Sequence, residues 1–380
     1  GEALALRDFF HFDLLRLYGP ISSTKTENNS AIPYQETSSK SIQPILNAKQ
    51  VAEKIMRDLN EASLLLKDDR IIKEGVMNGM ADDPNEKTLL RYRQFRLNYY
   101  AIQAMKARLY LWTGDKANAL ATAKSIIEEN NKHNTFTWIE KKAVTTGNNP
   151  NYIFSTEVMF ALYNKSRAKT YEMLFSPKAD MKNTLYFKGE STAEGDLLSK
   201  LTYFYDDMGD LRRNNTWTVE ELTANGQGGT TSKHKSICLK KFADTNGDTN
   251  FRYMQPLMRL SEIYLIAAEC ATTPEEALPF INELRKARNC VNMELPATNA
   301  EKAVQNMVWR EFMREMIGEG QLFFFYKRHA AEQMMSGTEF GKSNAWTGTV
   351  TALEGTYKMA LDNYVWPLPE AVEANRRAKN

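Results

Sequence analysis

Long hydrophobic runs are missing from this sequence. The longest, such as Ile263–Ala268 and Leu322–Tyr326, fall far short of the roughly 20 apolar residues a membrane-spanning helix needs. Histidine is scarce: His11, His133, His234 and His329 are the four present. No two of them stand at zinc-ligand spacing, which excludes an HExxH-type site. Cys238, Cys270 and Cys290 form no C-x-x-C pair. Cys270 and Cys290 read as core residues on apolar helix faces, and three cysteines define no redox compartment. Charge of one sign is not in excess: 49 Lys and Arg face 47 Asp and Glu, for a formal net charge of +2. A nucleic-acid partner therefore has no electrostatic footprint. No G-x-S-x-G nucleophile elbow occurs. No secretory leader stands at the start. The first residues already read as the inside of a helix, so the sequence is expected to begin within a longer precursor.

What is present is ordinary globular composition, 42% hydrophobic and 25% charged, and helical periodicity. Leu97–Glu129 reads as two amphipathic helices broken at Gly114-Asp115. Ala101, Ala104, Ala107, Ala119 and Ala123 place small residues where the two helices can approach closely. The spacing of Ala107 and Tyr110, and of Ala119 and Ala123, matches positions of a tetratricopeptide (TPR) helix pair. Such a pair cannot bury its apolar face alone. Pro256–Asn289 repeats the design and supplies a partner. Leu260, Ile263, Tyr264, Ala267 and Ala268 line one helix, and Ala277, Ile281 and Leu284 line the next. Thr273-Pro274 reads as a helix start, with Thr273 as N-cap and Pro274 in the first turn. Glu2–Tyr18 reads as a helix whose apolar stripe is Leu6, Phe10, Leu14 and Leu17, ended by Gly19-Pro20. Ala48–Leu66 and Ala300–Gly318 are further helices.

Between these lies a different texture. Ile21–Ser41 and Asp68–Glu86 are polar and loop-like. Asn130–Asn250 is rich in Gly, Asn, Thr and scattered aromatics, with Tyr152–Thr156 and Val158–Tyr163 as short strand candidates and Asn214–Lys233 as the strongest flexible-loop candidate. An aromatic-rich loop is expected from Gly318 to Thr356. Gly337–Ser343 imitates a phosphate loop but is one residue short. Asp244, Asn246 and Asp248 alternate like calcium ligands, but the sixth position is not Gly and the twelfth is Gln255 rather than Glu. A solvated turn is the simpler reading there, and no cofactor is expected.

Three stretches in order resemble the SusD/RagB family: GEALALRDFFHFDLLRLYGP at Gly1–Pro20, PLMRLSEIYLIAAE at Pro256–Glu269, and Arg310–Arg328 with the closing Trp366-Pro367-Leu368-Pro369. Asp210-Leu211-Arg212 resembles the family's D-x-R between them. Leu322 and Phe325 stand where the family usually carries Arg and Asp, so apolar packing is expected at that corner in place of an ion pair. The resemblance implies a mostly α fold, with TPR-like helix pairs forming a platform and a loop-rich irregular segment carrying a few short strands. It implies one domain over 1–380, helical at about 1–20, 48–130 and 256–290 and loop-rich on the ligand side at about 21–47, 131–255 and 329–363. It implies a non-enzymatic, cell-surface lipoprotein of a Gram-negative outer membrane, anchored through an N-terminal lipid absent from this chain. Such a protein takes up oligosaccharide or polysaccharide and hands it to a SusC-type TonB-dependent transporter.

Loop aromatics can stack on sugar rings. By order along the chain, Tyr34, Trp217 and Arg212 are the expected ligand contacts, with Trp138 and Trp346 next. Arg212 also suits a structural pair with Asp210. Three other classes stay open at this stage. One is a TPR scaffold binding a protein or peptide, another a peptide-binding member of the same family. The third is a glycosidase, since no single carboxylate pair among 47 acidic residues stands out.

Overall fold

The protein was analysed as a computed structural model that describes residues 1–23, 25–79, 90–176, 185–188, 201–202, 204–225, 231–245, 247, 249–335 and 356–372. The architecture is mostly helical. Helix α1 (Glu2–Tyr18) leads through strands β1 (Ser30–Pro33) and β2 (Ile45–Asn47) into α2 (Ala48–Leu65). Helices α3 (Tyr99–Thr113) and α4 (Lys116–His133) form the expected hairpin. Gly114 closes α3 at φ +82°, a backbone region that only glycine enters freely. Asp115 then caps α4 by accepting the Asn118 amide at 3.1 Å. Strand β3 (Val158–Tyr163) precedes the loop-rich half, which contributes β4 (Tyr186–Lys188), the short helix α5 (Leu211–Asn215), β5 (Trp217–Asn225) and β6 (Thr231–Leu239). Strand β7 (Met254–Arg259) runs directly into α6 (Leu260–Cys270), followed by α7 (Pro274–Ala287), α8 (Ala300–Met316) and α9 (Leu322–Arg328). The strands pair antiparallel as β1 with β2, β3 with β7, and β4–β6–β5.

Helix α6 is the hub. Every residue of it except Glu269 is buried, and it packs on α3, α4, α7 and α8. A helix apolar around most of its circumference belongs inside, and this one explains how the two predicted hairpins complete each other. The α7 start is as predicted: Thr273 accepts the Glu276 amide and Pro274 opens the helix. The small residues Ala101, Ala104, Ala107, Ala119 and Ala123 are all at or near zero exposure, where α3 and α4 meet.

Five local expectations are corrected. The stripe of α1 faces outward: Leu6, Phe10 and Leu14 are 42%, 57% and 42% exposed, while Ala5, Asp8, Phe12, Leu15 and Arg16 are buried. The buried side is chosen by the polar partners of Asp8 and Arg16, which periodicity does not see. Of Asn214–Lys233, the residues 217–225 and 231–233 belong to the β5–β6 pair rather than to a loop, with Trp217 opposite Leu239 and Val219 opposite Ile237, while 226–230 lie outside the described residues. Ser155–Glu157 is a 3-10 turn rather than strand, because Phe154 adopts a left-handed conformation at φ +55°. Leu322–Arg328 is helical, since Phe325 drops into a pocket of aromatic rings: it stacks on Phe312 at 4.3 Å and meets Trp309 edge-on at 5.0 Å. That packing is the apolar corner expected there. Cys290 lies beyond the end of α7, not on its face, and its thiol donates to Asp210 at 3.4 Å.

The helical and loop-rich halves meet at a buried charge cluster. Glu315 on α8 accepts from Arg212 at 2.7 Å, from Arg288 at 2.6 Å and from Arg259 at 2.8 Å. Arg288 continues to Glu157 at 2.6 Å. Arg212 continues to Asp210 at 2.6 Å and Glu311 at 2.8 Å. All seven side chains are at most 2% exposed. Burial alone would raise the Glu311 carboxyl, but Arg212, Arg314 and Arg285 hold it down to about 2; Glu315 is likewise driven well below its ordinary value by Arg288 and Arg259.

Two outcomes are expected. Ala107→Leu overpacks the α3–α4 crossing and lowers stability by about 1–3 kcal/mol, read as a drop in melting temperature. Glu315→Gln leaves three guanidinium groups short of their shared anion and costs about 3–5 kcal/mol in denaturant unfolding. Because the folded values of Glu311 and Glu315 lie below the unfolded one, this contribution is full above the ordinary glutamate range. It is lost as pH falls toward about 2, so the unfolding free energy of Glu315→Gln should depend less steeply on pH in acid than that of the wild type.

Candidate functional site

The sequence-predicted contacts are not gathered into one surface. Tyr34 is 4% exposed, and its hydroxyl sits 2.6 Å from both Asp8 and Asp58, between α1 and α2. Trp217 is 7% exposed; its indole N–H donates to the Tyr205 hydroxyl at 2.9 Å, and its ring meets Phe204 edge-on. Both were expected as exposed platforms, and neither offers a ring face to a ligand. The reason is hydrogen-bonding capacity: a phenol or indole in a polar stretch can be drawn inward when a buried partner waits for it. Arg212 is held in the charge cluster, the structural role that D-x-R also suited. Trp138 is half-buried, tilted against Tyr264 at 5.0 Å with the Arg288 guanidinium 5.5 Å from its ring. Trp346 and the phosphate-loop-like Gly337–Ser343 lie outside the described residues. So do Asn246 and Asp248 of the calcium-like run. Its Asp244 accepts from Arg252 at 2.8 and 2.9 Å, and the Arg167 guanidinium donates to the carbonyls of Phe251 and Met254. Cationic side chains thus hold this turn. Among the described residues, no group of three or more His, Cys, Asp or Glu is placed to hold a metal ion.

An open cleft of about 910 Å³ lies where β3 ends beside the turn Tyr92–Arg96. Its walls include Tyr92, Phe95, Leu97, Phe160, Leu162 and Tyr163, with Arg91, Arg96 and Asn250 among its polar groups. Tyr163 is 54% exposed although it is the last residue of a strand whose first four residues are buried. Phe95 meets its ring edge-on at 5.6 Å, and Tyr253 does so at 5.4 Å. These two neighbours, set at 82° and 61° to the ring, brace its plane while the residue stays half-exposed.

The turn that carries Phe95 is rigidly held. Arg93 is buried and donates to Glu2 and Asp69, both at 2.6 Å. Gln94 donates to the carbonyls of Ser155 and Val158, and Asn98 donates to that of Met159. Tyr92 enters the turn at φ +54°. These bonds tie the turn to β3, so Phe95 and Tyr163 keep a fixed spacing. The flat aromatic face, the apolar walls and the flanking guanidinium and amide donors suit a ligand with one weakly apolar face and many hydroxyls. Sequence reasoning missed Tyr163 because it reads as one more aromatic in a strand. The available signal was its position at the strand's end, next to Asn164-Lys165-Ser166, where pairing and burial both stop.

The geometry can be set beside known proteins. No curated protein matches the chain. Solved structures do. A SusD superfamily protein from Bacteroides thetaiotaomicron VPI-5482 is similar at a TM-score of 0.67 and 20% identity, covering 99% of this chain and 76% of its own. A SusD superfamily protein from Bacteroides vulgatus ATCC 8482 gives 0.64 and 21%, covering 99% and 75%. A SusD-like carbohydrate binding protein from the same organism gives 0.63 and 15%, covering 99% and 75%. At these identities the likeness concerns the fold. The SusD family model matches residues 107–376, from the middle of α3 almost to the end of the sequence, and the chain belongs to the SusD family.

Proposed function

We propose that this protein binds an oligosaccharide in the cleft beside β3, without chemical turnover, and passes it to a SusC-type TonB-dependent transporter. It would do so at the surface of a Gram-negative outer membrane, held there by a lipid anchor. No described helix is long and apolar enough to cross a membrane, so attachment on this reading comes from outside the described fold. The observation that carries the ligand assignment is Tyr163: a half-exposed ring, braced by Phe95 and Tyr253, in a cleft large enough for several sugar units. Family membership and the carbohydrate-binding description of one similar structure support the ligand class. Family membership supports the transporter partner.

A stacked sugar gains about 1–2 kcal/mol from one aromatic platform. Tyr163→Ala should therefore weaken binding about tenfold in calorimetric titration against a panel of oligosaccharides, with the melting temperature nearly unchanged. Trp217→Ala should do the reverse, lowering the melting temperature with little direct effect on affinity. Full affinity in Tyr163→Ala would move the ligand away from this cleft. Release of new reducing ends from a polysaccharide by the purified protein would overturn the non-enzymatic reading.

A further inference from the structure

The contacts of Tyr34 contain a proton-counting problem. Its hydroxyl oxygen is 2.6 Å from Oδ1 of Asp8 on α1 and 2.6 Å from Oδ2 of Asp58 on α2. A phenol has one proton to donate. Two contacts this short to two ionised carboxylates cannot both be hydrogen bonds, so one carboxyl must bring a proton of its own. Asp58 is committed as a carboxylate, since Arg57 donates to it at 2.8–2.9 Å and Arg7 also pairs with it. Asp8 is fully buried, and its second oxygen has no partner. Tyr34 therefore donates to Asp58, and a neutral Asp8 donates to Tyr34.

The next residue is held by a group of opposite demand. The Gln35 amide donates to Nε2 of His11 at 2.9 Å, and His11 Nδ1 is 2.8 Å from the Arg7 carbonyl. Nε2 must be unprotonated to accept, which places the imidazole proton on Nδ1. The ring lies stacked on Tyr34 at 4.1 Å. Beyond it, Arg7 donates to the Glu36 carbonyl, and the Glu36 side chain pairs with Lys54 and Arg57 of α2. The charged and titratable groups around Asp8 and His11 are thus Arg7 from α1, Tyr34 and Glu36 from the segment, and Lys54, Arg57 and Asp58 from α2.

We propose that Ala31–Glu36 is a pH-gated strap, pinned to α1 and α2 only while Asp8 holds a proton and His11 does not. Above the window, an ionised Asp8 faces the Asp58 carboxylate with a single phenol proton between them. Below it, a protonated His11 gives up the Gln35 amide. Burial raises the Asp8 carboxyl to about 7, and burial lowers the His11 imidazole. The signs follow from these directions. Asp8 lies above its unfolded value, so its share of the strap's hold is full in acid and lost as pH rises through about 7. His11 lies below its unfolded value, so its share is lost as pH falls through the imidazole range. The strap is held best in mildly acidic to neutral solution. This inference does not depend on the cleft or its ligand.

The test is amide hydrogen exchange at Gln35, corrected for the intrinsic rate, from about pH 5 to about pH 9. Protection should peak between the two titrations and fall up to about tenfold per pH unit above about 7. Asp8→Asn, which cannot ionise, should flatten the alkaline limb alone, and His11→Gln should flatten the acid limb alone. Protection that is flat across the range, or an alkaline slope that survives Asp8→Asn, overturns the proposal. Should Asp8→Asn fail to fold, carbon-13 titration of the Asp8 carboxyl in the wild-type chain decides. A midpoint near neutrality supports the strap, and one in the ordinary aspartate range ends it.

Discussion

Three guanidinium groups from three distant segments converge on one carboxylate, Glu315, with no water-exposed route for any of them. A charge this deeply buried must be neutralised and hydrogen-bonded or the fold does not form. That constraint ties α8 to the junction of β7 and α6 through Arg259, to the end of α7 through Arg288, and to α5 through Arg212. Glu157, just before β3, joins through Arg288. Such clusters contribute little net stability over an apolar core of the same shape. Their effect is on geometry, because only one arrangement of the segments satisfies every charge. The cluster fixes how the loop-rich half, with its β4–β6–β5 sheet, docks on the helical platform.

The same device recurs at smaller scale along the helical half. Glu262 on α6 takes a two-pronged bond from Arg108 on α3, and Glu269 takes one from Arg328 on α9. The Lys327 ammonium donates to the carbonyls of Arg16, Leu17 and Gly19, satisfying backbone acceptors at and just beyond the C-terminal end of α1. Each polar contact crosses between elements that are far apart in sequence. Apolar packing fills the volume, and these contacts decide the register.

Against that rigid frame, the cleft beside β3 stands out through exposure. Tyr163 and Leu162 remain open at the end of a strand that is otherwise buried, and the turn opposite is locked by Arg93, Gln94 and Asn98. A site of this kind pays little ordering cost when a ligand arrives, because its aromatic spacing is already set. Asp244 of the calcium-like run is engaged by Arg252 and does not line the cleft.

The sequence by itself determined the long helices and the pairing of the two hairpins. Small residues at Ala104, Ala107, Ala119 and Ala123, the Gly114-Asp115 break and the Thr273-Pro274 start are local signals, and local signals are written in neighbouring residues. The ordered resemblance to SusD proteins likewise lay in the linear motifs, and even the apolar corner at Phe325 could be read from a single replaced residue. Which aromatic faces solvent was decided only by the tertiary structure. Tyr34 and Trp217 sit in polar stretches yet turn inward, because Asp8, Asp58 and Tyr205 offer buried partners from elsewhere in the chain. Leu6, Phe10 and Leu14 form a regular apolar stripe yet face outward, because Asp8 and Arg16 on the same helix are claimed by buried contacts. Burial of an amphipathic side chain depends on whether a distant group completes its hydrogen bonds, and no window of sequence contains that group.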